Sequence, residues 1–143
     1  MSPKITYLTQ SPHINIDASG RITCKATGYP IPSIEWHLAM YNGMKVDLST
    51  GQSYIKKFYM SKTIVNTTEE SAVNSLLVQS VQVNDWKINF SCIAANDQGS
   101  IVGQVNIKGF GELLLLYNKL MSVQRNAVLV FQHSSLLLLI FSK

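Results

Sequence analysis

The chain has 143 residues, 46% of them hydrophobic and only 14% charged, which is enough apolar material for a packed core and too much for wholesale disorder. The formal charge of +4 is spread along the chain, with nine basic against seven acidic residues in 1–108 and three against one in 109–143. Neither part has the dense basic face of a nucleic-acid binder, so no nucleic-acid partner is expected. Cys24 and Cys92 lie 68 positions apart without a C-x-x-C beside either, which argues against a zinc site and allows one internal disulfide.

The first 108 residues are predicted to be short strands separated by turn residues. "KITYLT" (4–9) alternates and is rich in β-branched and aromatic residues, and "HINID" (13–17) repeats the pattern. "GRITCKA" puts Ile22, Cys24 and Ala26 on one face; "SIEWHLA" does the same for Ile34, Trp36 and Leu38. Pro30 and Pro32 keep the intervening turn out of helix. Tyr41-Asn42-Gly43 marks a turn before "MKVDLS", "SLLVQSV" (75–81) is a further strand, and "INFSCIAA" aligns Ile88, Phe90, Cys92 and Ala94. Asn96-Asp97-Gln98-Gly99 is a hairpin signal leading into "IVGQVNI". This rhythm predicts an all-β sandwich or barrel; in a sandwich, a cysteine on each sheet can pin two faces about 10 Å apart, with Trp36 filling the volume beside the sulfurs.

These residues resemble the immunoglobulin superfamily, and more narrowly its intermediate (I-set) type. The resemblance rests on "CKATGYPIPSIEW" (24–36), on Leu76, Val78, Val81 and Asp85, and on "CIAANDQG" (92–99), and it covers residues 3–108. It implies an immunoglobulin-like β-sandwich of two antiparallel sheets. It places Cys24 and Cys92 on strands B and F as a disulfide and Trp36 on strand C as the core tryptophan. Closing a loop of that length is worth about 4 kcal/mol in the chain-entropy picture. The resemblance has three departures: Phe90 stands where a tyrosine is usual, an extra residue separates Asp85 from Phe90 around Trp86, and the stretch from His37 to Glu70 is long. An extra C′ strand or a large loop would fill that stretch.

What the resemblance implies functionally is a non-catalytic extracellular recognition module of a receptor or cell-adhesion protein, as part of a membrane protein or as a soluble or truncated isoform. The alternative is a structural spacer domain in a secreted matrix or growth-factor-binding protein. A disulfide requires an oxidising compartment, whereas "MSPKITYLTQ" carries no apolar run of the signal-peptide type. Two sequons, Asn66-Thr67-Thr68 and Asn89-Phe90-Ser91, are candidate glycosylation sites. Asn89 is expected on the outer face of the sheet made by strands C, F and G, where a glycan would cover the centre near Glu35 and His37. The loops 26–33 and 95–100 are expected at one end of the sandwich, making Tyr29, Ile31, Asp97 and Gln98 the partner-binding candidates for a protein ligand or adhesion partner. The bland reading of those residues is that they only build turns.

"YIKKFYMSK" (54–62) interleaves aromatics with Lys56, Lys57 and Lys62, a basic patch for heparan sulfate or an acidic surface; the bland reading is an edge strand guarded by solvated lysines. His13, His37 and His133 are scattered, Glu69-Glu70 reads as a solvated loop, and no hydrolase, zincin or phosphate-loop pattern occurs. No catalytic residue, metal or cofactor is expected.

After Lys108 the composition switches: residues 109–143 hold ten leucines against five in the preceding 108. This Leu-rich tail is expected to be a separate, alternative or truncated C-terminus. Polar residues from Asn118 to His133 interrupt every window long enough to span a bilayer, and membrane contact is not expected. Gly109 or Ser134 is small enough for a lipid-anchor signal, but "LLLLIF" is shorter than the roughly 10–20 apolar residues such a signal needs and the spacing from Gly109 is wrong. Leu113, Leu116, Leu120, Val123, Ala127 and Phe131 fit an amphipathic helix.

Overall fold

The computed structural model describes residues 1–48, 53–109 and 119–122. The chain falls into two compact units, Met1–Gly109 and Phe110–Lys143. In the second, 119–122 is a helical turn. The remaining positions of the amphipathic-helix pattern and the anchor-signal residue Ser134 lie outside the described residues.

Among the described residues, ten strands build the first unit: β1 (Lys4–Leu8), β2 (Gly20–Thr27), β3 (Ser33–Ala39), β4 (Lys45–Leu48), β5 (Ser53–Tyr54), β6 (Phe58–Met60), β7 (Ile64–Asn66), β8 (Ser71–Val78), β9 (Asn89–Asn96) and β10 (Gly99–Val105). One sheet runs β1-β2-β8-β6-β5 with β7 also on β8; the other runs β10-β9-β3-β4. All strand pairings are antiparallel. Period-2 alternation turns one row of each strand inward, so Ile22, Cys24 and Ala26 from β2 meet Trp36 and Leu38 from β3 and Phe90, Cys92 and Ala94 from β9 in a single buried core. Phe58 and Phe90 meet edge-on, with ring centroids 5.8 Å apart.

Several boundaries differ from the sequence reading. "HINID" is not a strand; His13 forms an isolated parallel bridge with Lys108, and Asp17 turns with a φ of 67°. Its alternating pattern arises because Ile14 dips into the core from an irregular segment held by Val81 O accepting from Asp17 N and Ala18 O accepting from Val81 N. The strand expected over 75–81 ends at Val78, and Ser80 has a φ of 48°. The long stretch after His37 does contain an extra strand: β4 pairs with β3, after a turn whose Gly43 takes a φ of 89° that favours glycine. Between Asp85 and Phe90 the extra residue is absorbed in a 3₁₀ helix over Val83–Lys87. There Trp86 Nε1 donates to Ile14 O at 3.1 Å, a side-chain-to-backbone tie made without the hydroxyl that Phe90 lacks.

β6 and β7 both lie along the same side of β8, one against Phe58↔Val78 to Met60↔Leu76 and the other against Ile64↔Val73 to Asn66↔Ser71. They are one edge interrupted at Ser61–Thr63, which matters for the residue that faces the gap.

Candidate functional site

The centre of the sandwich is a closed set of four residues. Cys24 and Cys92 are joined by a disulfide with an S–S distance of 2.01 Å, linking β2 to β9 across the two sheets. Cys24 is the register partner of Asn74 on β8, and Cys92 is the register partner of Trp36 on β3. Trp36 Nε1 donates to Asn74 Oδ1 at 3.1 Å, so a hydrogen bond crosses the sheets alongside the covalent bridge. The Asn74 amide nitrogen donates in turn to Ser61 O at 2.8 Å and Thr63 Oγ1 at 2.9 Å, which places its donors at the break between β6 and β7. Trp36, Cys24 and Cys92 are fully buried and Asn74 is 1% exposed. A buried amide with every visible group paired is stable in a core; the same amide unpaired would not be. Asn74 was not singled out from the sequence, where an asparagine inside a strand pattern reads only as a weak strand residue.

The expected basic patch is not a unit. Lys57 Nζ lies 2.7 Å from Asp85 Oδ2 and donates to Ser80 O at 2.8 Å, while Asp85 Oδ2 also accepts from Gln82 N. Lys57 therefore pins the 3₁₀ segment to the β5–β6 turn. Lys56 and Lys62 remain exposed. The aromatic and basic alternation of 54–62 arises because Phe58 and Met60 face the core while Lys57 faces a buried carboxylate.

The candidate recognition end forms around Asn96. Its amide nitrogen donates to Pro30 O at 2.8 Å and to Met1 O at 2.9 Å, and its Oδ1 accepts from Gln98 N. The 26–33 loop and the β9–β10 turn are thus held together, with Tyr29 61% exposed and Asp97 and Gln98 at the surface. Ile31 departs from the expectation of an apolar contact: it is partly buried and packs against the core.

The outer face of the β10-β9-β3-β4 sheet carries an open cavity of about 390 Å³, lined among others by His37, Asp47, Asn89, Ser91, Ile93 and Val102. Asn89 opens β9 opposite Ala39, half-buried, so it borders this face and does not occupy its centre. Asn66, in contrast, is exposed; its Oδ1 accepts from Glu69 N and its amide nitrogen donates to Glu69 Oε2. Glu69, read as solvated, also meets Lys25 at 2.8 Å. On the same outer face, His37 Nε2 lies 3.1 Å from Glu35 Oε1 and 3.0 Å from Asp47 Oδ1. From the sequence His37 is one of three scattered histidines, placed near Glu35 on the outer face; Asp47 joins them only through the β3–β4 register.

The model of the immunoglobulin domain matches residues 2–96. Among curated relatives, neural cell adhesion molecule 1 from Bos taurus and from Homo sapiens are each 29% identical over 97 residues, covering 68% of this chain and 11% of theirs. The chain thus spans about a tenth of the length of these relatives. Among solved structures, a titin fragment superposes with a TM-score of 0.56 at 18% identity, over 76% of this chain and 48% of that one. The complex of Dpr2 Ig1-Ig2 with DIP-Theta Ig1-Ig3 gives a TM-score of 0.58 at 16% identity, over 76% of this chain and 32% of that one. With two antiparallel sheets pinned through Cys24, Cys92 and Trp36, and a family match across most of its length, this chain belongs to the immunoglobulin-domain family.

Proposed function

We propose that the chain is a non-catalytic extracellular protein-recognition domain of the adhesion type, binding a protein partner through the end of the sandwich that carries Tyr29, Asp97 and Gln98. The observation that supports this most is the Asn96 clamp, which ties the loop carrying exposed Tyr29 to the turn carrying exposed Asp97 and Gln98. Tyrosine brings a large contact area at low entropic cost, and it is over-represented among residues that dominate interface energetics. The similarity to neural cell adhesion molecule 1 agrees with this class of function. Heparan sulfate is not included, because Lys57 is committed to Asp85, which leaves Lys56 and Lys62 of the three expected lysines. Asn66 and Asn89 are its proposed glycan sites, the first exposed at a strand end and the second bordering the outer sheet face.

The test is an avidity screen: the chain displayed as a multimer against a panel of extracellular proteins, since clustering raises a weak affinity by about 10²–10⁴. Saturable binding that falls roughly tenfold or more on Tyr29→Ala, with the fold intact, supports the reading, in line with the loss of one interface anchor. Absence of any saturable partner, or binding indifferent to Tyr29→Ala and Asp97→Ala together, would point to the spacer role instead.

A further inference from the structure

The outer face of the β10-β9-β3-β4 sheet holds one constellation that partner recognition does not use. Glu35 and His37 project from the same face of β3 at i and i+2, and Asp47 stands directly opposite His37 on β4. Their ligand atoms all lie within 4.8 Å of one another, with His37 Nε2 at 3.1 Å from Glu35 Oε1 and 3.0 Å from Asp47 Oδ1. We propose that Glu35, His37 and Asp47 form a surface site for a zinc-class divalent ion.

Three electron-pair donors from two adjacent strands lie within 4.8 Å of one another, near enough to reach one ion. A single Nε2–H can serve one carboxylate oxygen, or be split between two, and it leaves two anionic groups facing each other. A divalent cation at the centre takes a lone pair from each. Ligands about 2.0–2.1 Å from a tetrahedral zinc stand about 3.3 Å from one another, close to the two separations seen here. One imidazole with two carboxylates suits zinc, copper or nickel better than calcium or magnesium, which prefer all-oxygen sets. The scaffold favours precision, because all three residues sit on paired strands rather than loops. The side chains keep 39% (His37), 52% (Glu35) and 63% (Asp47) of their exposure, so an ion could enter from solvent and retain an open fourth position. The two cysteines, sealed in the Cys24–Cys92 bridge, do not compete as ligands.

The test is calorimetric titration of Zn²⁺ into the tag-free, disulfide-bonded full chain, with the histidine ring signals followed by NMR and the fold checked by circular dichroism. The expected result is one ion per chain, a selective shift of the His37 ring signals, and affinity that drops roughly tenfold or more in both His37→Gln and Asp47→Asn. Asp47 is the more exposed of the two, so Asp47→Asn keeps the test meaningful if the histidine variant folds poorly. No saturable binding, or affinity retained in either folded variant, would overturn the site and would leave the recognition reading untouched.

Discussion

Asn74 is the residue on which the interior depends most after the disulfide. It accepts from Trp36 in one sheet and donates into the gap between β6 and β7 in its own. Replacing it with leucine keeps a branched side chain, though a bulkier one, and strands the indole N–H and the Ser61 carbonyl without their amide partner. The expected cost is about 3 kcal/mol in urea unfolding, from the buried indole N–H together with the part-buried Ser61 carbonyl. A loss under about 1 kcal/mol would mean that water or a local shift replaces the amide. Lys57 makes the second residue-scale prediction. Its partner Asp85 is 7% exposed, so Lys57→Met leaves a carboxylate buried without its cation. The expected cost is about 3 kcal/mol, the low end for a broken buried pair, because 20% of the lysine side chain remains in water. Lys56→Met next to it is expected to change stability by no more than about 0.5 kcal/mol. Equal effects at the two positions would restore the view of a solvated patch.

At the scale of elements, the strands with clean alternation were the ones legible in the sequence. β2, β3 and β9 each place a cysteine or tryptophan in a row of apolar residues, and the inward parity read from that row is the one observed. The parts that were not legible fall where one tertiary contact overrides the local pattern. Ile14 mimics a strand residue although its neighbours form turns, and β6 and β7 are too short to show a period. The Glu35–His37–Asp47 cluster and the Trp36–Asn74 bond share a different obstacle: each joins residues whose neighbourhood exists only once strand register is set. Close packing of the two sheets also shows at Gly103, where a Cβ would come within 2.9 Å of Leu8 and 3.0 Å of Ile5. β1 thus lies against β10, and a side chain there would require the ends of Leu8 and Ile5 to shift. The bridge between sheets carries its own prediction: converting both Cys24 and Cys92 to alanine is expected to cost about 4 kcal/mol, measured against the oxidised chain in the same denaturant series. A loss near zero would mean that the Trp36–Asn74 tie and the apolar core hold the sheets without it.

For the whole molecule, the immunoglobulin architecture positions a clamped loop end and an open sheet face as separate surfaces, one built around Asn96 and the other around His37. Both depend on the sandwich being oxidised and intact, and the recognition reading further depends on the chain meeting an oxidising, glycosylating compartment. The most direct measurement is mass spectrometry of unreduced peptides from chain produced through a secretory pathway. The expected result is a Cys24–Cys92 linked peptide with added sugar mass at Asn66 or Asn89. Two free thiols and unmodified sequons in soluble, folded protein would contradict the extracellular recognition role.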